Sequence, residues 1–336
     1  MAVSEYGDIS QRTAAWAATK ALKHNEPIIV LNKFGQVKPL PKNKANGVKF
    51  RRAVPNTVSV TPLTEGVTPA SKKIVYEDVA VTLTQHGDLA ELTDVVHDTS
   101  EDPVLSDMME LAGEQAVETS EMVTYGVLKG GTSVIYNNGT ARNQVNTVLT
   151  LNAVRLAVRS LNAQRAKRIT KIVGPSVLID TRAVEAAYVA LCHTDLDADI
   201  RSLGGFVPVS KYGSMKPLCD EELGVVENVR FITSPLLVPF EDAGGAHGDV
   251  VLSTSGVSGD VYPIIIIGKD AFGHVPLKGA KGAGKNFHPM VLNPNTPRGG
   301  DELGQRGSVS WKCYLAPLIL NQLWMTRIEV GASDLI

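Results

Sequence analysis

Gly279-Ala-Lys-Gly-Ala-Gly-Lys285 holds the clearest hint of chemistry in this 336-residue chain. Glycines at that spacing, closed by a lysine, suit a phosphate-cradling loop: backbone N–H groups wrap the phosphate oxygens and the lysine reaches the outer ones. The next position should carry a hydroxyl for magnesium, and it is Asn286. Pro276 and Pro289 flank the loop, so no helix is expected to present its N-terminus there. Nucleotide binding through 279–285 therefore stays a remote alternative, and the loop reads as a flexible, positively charged segment. Cys192-His193-Thr194-Asp195 offers a thiol and an imidazole, the materials of a metal site or a nucleophile. Zinc takes four ligands at recognisable spacing, and Cys219 and Cys313 stand alone. Cys192 thus reads as a small buried hydrophobe and His193 as a helix-end residue. His86, His97, His247, His274 and His288 are scattered through turn-like contexts. There is no HExxH, no GxSxG and no GxGxxG behind a strand. The acids between 101 and 121 lie on a helix surface, where they repel one another by a few tenths of a kcal/mol per pair. These residues predict no enzyme, no metal and no cofactor.

Composition points the same way. Hydrophobic residues make up 43% and charged ones 20%, enough to bury a sizeable core. The length exceeds the roughly 250–300 residues at which one core stops growing, so at least two structural units are expected. A net charge of −2 is a poor basis for gripping DNA phosphates, and 5% aromatics is too little for a base-stacking platform. Three cysteines without a close pair are no disulfide framework and suit a reducing compartment or inert buried thiols. The residues from Met1 to Tyr6 have neither a basic nor an apolar signal region, and the apolar run Val261–Gly268 is too short to span a bilayer. A soluble, cytosol-made protein is expected.

The elements that would position any function divide into an arm, a hairpin and a mixed body. Residues 10–24 are rich in alanine, begin at the capping residue Ser10 and end before Pro27, which predicts a helix. The stretch 25–47, full of Lys, Asn and Pro, reads as an arm lying on another surface. Period-2 alternation predicts strands over 47–61 and 73–85, joined by the turn-rich 62–71 into a long hairpin. A lone hairpin is marginal in water and needs a surface to lean on. Residues 101–129 predict the longest helix, about 43 Å, stopped by Gly130-Gly131. Further expectations are a strand over 132–136, a helix over 150–168, a strand over 172–179 broken by Gly174-Pro175, and a helix over 181–193. Strands follow over 225–232, 249–254 and 261–267, with a last apolar stretch over 308–331. The fold class is α+β.

Charge along the chain is segregated. Nine basic residues and one acid lie between Lys20 and Arg52, followed by Lys72 and Lys73. From Ile74 to Leu128 there are thirteen acids and no base; from Met122 to Ile179 there are eight bases and no acid. Alternating blocks in a near-neutral chain point to complementary surfaces that meet within or between subunits.

Several short motifs occur in order along the chain: Ile9-Ser-Gln-Arg-Thr-Ala14, Leu63-Thr-Glu-Gly-Val-Thr-Pro69, Gln85-His-Gly-Asp88, Glu91-Leu-Thr-Asp94 and Asp98–Pro103. Gly113-Glu-Gln115, Cys192-His-Thr-Asp195, Asp199-Ile-Arg201 and Gln305-Arg-Gly-Ser-Val-Ser-Trp-Lys312 continue the series. Together they resemble the major capsid proteins of the phage N4 group, from residue 9 to about 330. The resemblance implies the HK97-type capsid fold: an N-terminal arm over 1–46, an extended hairpin (the E-loop) over 47–88, and a peripheral domain over 89–170 with its spine helix at 101–129. An axial domain over 171–304 would follow, and 305–336 would return to the peripheral domain. It implies subunits that close into pentamers and hexamers of an icosahedral shell around double-stranded DNA, without sequence-specific contacts. Portal, scaffolding and decoration proteins would be further partners, the virion the location, and the host bacterial cytoplasm the place of assembly. No motif here supports covalent crosslinking. A cellular nanocompartment shell shares the fold and is the alternative. Combined with the charge blocks, this predicts that Lys42, Lys44, Lys49, Arg51, Arg52, Lys72 and Lys73 meet acids such as Glu101, Asp102, Glu110, Glu114 and Glu118 on adjacent subunits.

Overall fold

The computed structural model describes residues 29–41, 43, 45–99, 104–173, 181–213, 216–248, 250–278, 287–297 and 299–335. The helix expected over 10–24 and the loop 279–286 lie outside them. The strands used below are β1 (Gly47–Ala53), β2 (Tyr76–Thr82), β3 (Thr84–Thr93), β4 (Val134–Tyr136), β5 (Ile169–Val173), β6 (Thr181–Cys192) and β7 (Phe206–Pro208). The chain continues with β8 (Glu222–Val226), β9 (Val229–Thr233), β10 (Tyr262–Ile267), β11 (Phe272–His274), β12 (Phe287–Leu292), β13 (Arg306–Leu315), β14 (Pro317–Ile319) and β15 (Met325–Val330). Among the described residues four α-helices join them: α1 (Asp94–Thr99), α2 (Val104–Lys129), α3 (Leu151–Ala163) and α4 (Asp197–Ser202).

The centre is an eight-stranded mixed sheet in the order β4-β15-β10-β6-β9-β8-β7, with β5 also paired to β6. Its two faces bury different halves of each central strand. Tyr188, Ala190 and Cys192 of β6 pack with Ile264, Ile266, Ile328 and the α3 residues Val154, Ala157 and Leu161. Val189 and Leu191, with Ile265 and Ile267, pack on the other face against Tyr125 and Leu128 of α2 and against Val30 and Leu31. Thr150 caps α3 by accepting from the Ala153 N–H, and Arg165, at φ 54°, follows directly after the helix ends. That left-handed residue stops the helix before the expected 168.

Residues 181–192 are a strand, where a helix over 181–193 was expected. Alanine and leucine favour helix weakly, but a strand covered on both faces shows no alternation and reads as an unbroken apolar run. Parallel pairing to β9 and antiparallel pairing to β10 decide the matter. The expected strand over 249–254 is reduced to one bridge between Val251 and Ser333. The run 308–331 resolves into β13, β14 and β15, and β12 forms despite Pro289. The strand expected over 172–179 begins earlier, at Ile169, and its described part ends at Val173.

A second, three-stranded sheet has β13 in the middle, between β12 and β3. Along β13 every second residue from Gly307 to Leu315 is buried. That face meets the N-terminal half of α2, where Met109 touches Val291 and Val309, and Ala116 touches Trp311 and Cys313. Helix α2 therefore lies across both sheets. Its described start, Val104, leaves the expected opening turn at 101–103 outside the described residues.

Candidate assembly interface

Strands β1 and β2 form an antiparallel hairpin whose ladder runs from Gly47↔Thr82 to Ala53↔Tyr76. It is shorter than expected, because β2 stops at Thr82 and the chain switches at Leu83 into β3, which pairs with β13. At the other end Pro55 has no N–H to continue the ladder. The body end is anchored: Phe50 is buried, and Val48, Val79, Val81 and Leu83 pack against Leu40, Val275, Ala316 and Leu318. Beyond Ala53 the chain runs out and back without strand structure, closed by the Val54 N–H on the Val75 carbonyl at 2.8 Å. The tip is a turn, with the Val67 N–H on the Thr64 carbonyl and Gly66 at φ 78°.

This projecting segment carries apolar side chains in solvent. Val58, Val60, Leu63, Val67 and Ile74 are 74%, 86%, 77%, 63% and 66% exposed. Large exposed apolar surfaces are where other molecules bind, and this segment is the candidate for one.

Two of the predicted contact residues pair inside the hairpin itself. Arg51 grips Asp78 with two bonds, Nε to Oδ1 at 2.7 Å and Nη2 to Oδ2 at 2.8 Å. Its neighbour Arg52 bonds Glu77 through Nε at 2.8 Å. Arg51 also lies 5.6 Å from the Tyr76 ring centre. The Arg51 hydrogen bonds hold the Asp78 carboxyl below its usual range. Lys72 donates to the Thr57 carbonyl at 2.9 Å, bracing the outgoing and returning segments. Lys49 and Lys73 are exposed. Glu110, Glu114 and Glu118 lie half-buried on α2, away from the hairpin ladder. Lys42, Lys44, Glu101 and Asp102 are outside the described residues.

The residues with the strongest electrostatic demands were not among those singled out from sequence. Glu121 of α2 is fully buried and accepts the backbone N–H of Val30 at 2.9 Å and of Leu31 at 2.6 Å. Burial pushes its pKa up to about 7, against the lowering effect of those N–H groups. It fastens the entering chain to the helix, helped by Asn32 on Ser120 and by Lys33 paired to Glu221 at 3.3 Å. Glu329, next to the end of β15, is also fully buried. Arg142 forks onto it at 2.8 and 2.7 Å, and Arg327 approaches at 2.9 Å. The Phe240 ring has Arg142 at 3.5 Å and Lys129 at 3.8 Å from its centre. This cluster ties the end of α2 to the central sheet. A lone Glu inside Met-Thr-Arg-Ile-Glu-Val330 was the available signal, since an acid in an apolar strand must be paired.

The chemical candidates resolve into packing. Cys192 is fully buried at the end of a strand, and burial pushes its thiol up. His193 does not end a helix over 181–193; it follows β6 and caps the start of the 3-10 turn Thr194–Leu196, its ring accepting the Asp195 N–H at 3.1 Å. Cys219 and Cys313 are also free thiols. Among the described residues no group of His, Cys, Asp or Glu could hold a metal ion, and no helix is long and apolar enough to cross a membrane. Downstream of 279–286 the chain enters β12, a strand where a phosphate loop requires a helix.

A family model described as phage capsid protein matches residues 76–320. The chain belongs to the phage capsid protein family. The major capsid protein of Pseudomonas phage KPP21 is 23% identical over 184 residues, covering 51% of this chain and 46% of that protein. The match thus spans about half of the relative's length. The capsid of Ralstonia phage GP4 superposes with a TM-score of 0.66 at 12% identity, over 91% of each chain. The SrpI encapsulin of Synechococcus elongatus PCC 7942 superposes with a TM-score of 0.51 at 10% identity, over 88% of this chain and 85% of that one. At these identities the likeness is one of fold, and the mixed α+β architecture is that of HK97-type shell proteins.

Proposed function

We propose that this chain is the major capsid protein of a tailed double-stranded DNA phage of the N4 group. Copies close into pentamers and hexamers through heterologous contacts, and these form an icosahedral shell around the genome. The observation that carries the reading is the family match over 76–320, and the exposed apolar hairpin supports it. The N4 assignment rests on the ordered motifs. On this reading residues 1–46 form the arm, 47–88 the E-loop, 89–170 the peripheral domain with α2 as its spine, 171–304 the axial domain and 305–336 the return. The shell is assembled in the host cytoplasm and located in the virion, with portal, scaffolding and decoration proteins as partners.

Adhesion in this scheme comes mainly from apolar burial. Covering a Val, Leu or Ile side chain contributes about 1.5–3 kcal/mol, and an exposed ion pair about 0–1 kcal/mol. Lys49, Lys72 and Lys73, with Lys42 and Lys44, meet Glu110, Glu114, Glu118, Glu101 and Asp102 of neighbours to set register and assembly rate. Arg51 and Arg52, already paired within the hairpin, contribute shape more than free charge.

Electron microscopy of the purified chain, alone and with its scaffolding factors, tests the proposal. Capsomers and closed shells are expected; monodisperse small particles under both conditions would overturn it. The nanocompartment alternative draws on the fold shared with the encapsulin. It is favoured only if particles isolated from cells carry a protein cargo and no DNA.

A further inference from the structure

Residues 30–41 lie on the body between two buried anchors. At one end Val30 and Leu31 pack with Tyr125 and Leu128 of α2, and Glu121 accepts both of their N–H groups. At the other end Leu40 is buried among Val275, Ala316 and Leu318, together with Phe50 at the root of the projecting hairpin. Residues 36–39 between the anchors are exposed. Only short backbone pairings hold this span. Gln36 and Val37 run parallel to Gly273 and His274 of β11, and Leu40 and Pro41 run parallel to Leu277 and Lys278. The Lys38 N–H adds a bond to the His274 carbonyl at 3.1 Å. Segments with exposed hydrogen bonds and few buried apolar contacts open at low free-energy cost.

The span touches the hairpin root directly, since Lys38 Nζ lies 5.2 Å from the centre of the Phe50 ring. It also runs so close to β11 that a β-carbon at Gly35 would collide with the His274 and Phe272 rings. At the α2 end a single oxygen, Glu121 Oε1, serves both the Val30 and the Leu31 N–H. Removing it leaves two buried donors unpaired, which costs far more than losing one exposed bond. The anchors belong to separate apolar clusters, and residues 30–41 enter both.

We infer that residues 30–41 are a strap that fixes the root of the projecting hairpin to the body, with Glu121 as the lock that keeps the strap down. The connection runs through the chain itself: from Glu121 to Val30 and Leu31, along the paired span, and from Lys38 and Leu40 to Phe50. With the strap down the hairpin keeps one angle to the body; with it released the hairpin swings about its root. The inference stands apart from the shell reading, because it concerns the unassembled chain.

Amide hydrogen exchange of the full chain, below its assembly concentration, tests it. In Glu121→Ala the amides of 47–53 and 76–82 are expected to exchange at least about tenfold faster than in wild type, together with those of 30–41. Residues 262–267 and 325–330 of the central sheet should keep their rates. Gly35→Ala lifts the span at its middle and should give the same pattern. Glu121→Gln keeps an acceptor for both N–H groups and should leave the hairpin root protected. Faster exchange confined to 30–41 in both alanine variants would overturn the inference, because the strap would then hold only itself. A uniform rise that includes the central sheet would also overturn it, since the hairpin root would then open only with the whole fold. Equal loss of hairpin protection in Glu121→Gln and Glu121→Ala would overturn the role of Glu121 as the lock.

Discussion

Replacing Glu121 with Gln should stabilise the unassembled chain at alkaline pH and do much less at acidic pH. The carboxyl is fully buried, and its pKa is raised from 4.5 to about 7, chiefly by desolvation. The native state therefore keeps this proton between pH 4.5 and 7, where the unfolded chain has lost it. Linkage then makes stability fall as pH rises through that window. A rise from 4.5 to about 7 corresponds to about 3 kcal/mol once the group is ionised in both states. At pH 5 most of that penalty is absent, so about 2–3 kcal/mol separates pH 5 from pH 8. Glutamine keeps an oxygen to accept the Val30 and Leu31 N–H groups and is neutral throughout. Its NH2 takes the place of Oε2, which has no hydrogen-bond partner. Whatever that exchange costs is the same at both pH values and cancels in the difference. The assay is urea denaturation of wild type and Glu121→Gln at pH 5 and pH 8, at protein concentrations below assembly. The variant should gain about 2–3 kcal/mol relative to wild type between the two pH values. No gain, or a loss at pH 8, would mean that the N–H groups stabilise the carboxylate more than burial destabilises it, and the reasoning would fail.

Other perturbations follow from the same contacts. His274 is buried with neither ring nitrogen bonded, and burial lowers its pKa to about 4. Its contribution has the opposite sign: stability is lost as pH falls from 6.5 towards 4, and His274→Leu should flatten that limb of the urea midpoint against pH. Glu329→Gln leaves Arg142 and Arg327 facing a neutral side chain in a buried site and should cost about 3–5 kcal/mol, read from the same urea curves. Val58→Asp with Val60→Asp should leave monomer stability within about 0.5 kcal/mol, because both side chains are exposed, yet abolish shells in the microscope. Arg51→Ala removes an exposed pair and should leave the urea midpoint nearly unchanged and the assembly yield within twofold.

Elements whose residues see one environment were readable in advance. Helix α2 was, because its apolar positions recur along one stripe and Gly130-Gly131 terminates it. So was α3, with its Thr150 cap, although its end at Ala163 depended on the left-handed turn at Arg165. The hairpin was recognisable, but its ladder was overextended, since alternation alone does not say where a strand leaves one partner for another at Leu83. Strand β6 was misread as helix because two-sided burial erases the period-2 signal. Of the predicted contact residues, charge order selected the hairpin and the acidic helix. It could not reveal that Arg51 and Arg52 face Asp78 and Glu77 across the same ladder, since that depends on register.

The sequence by itself determined the kind of protein: an α+β chain with opposed charge blocks, a long helix and a turn-rich hairpin, whose ordered motifs resemble those of phage capsid proteins. Those properties are local or cumulative, and composition, spacing and order carry them. Tertiary structure alone decided which charges are already satisfied, which apolar side chains remain in solvent, and that Glu121 and Glu329 sit where no water reaches them. Burial and partnership depend on residues distant in the chain, 91 positions apart for Glu121 and Val30 and 187 for Arg142 and Glu329. Separations of that size leave no periodic trace in the sequence, because the fold itself brings such pairs together.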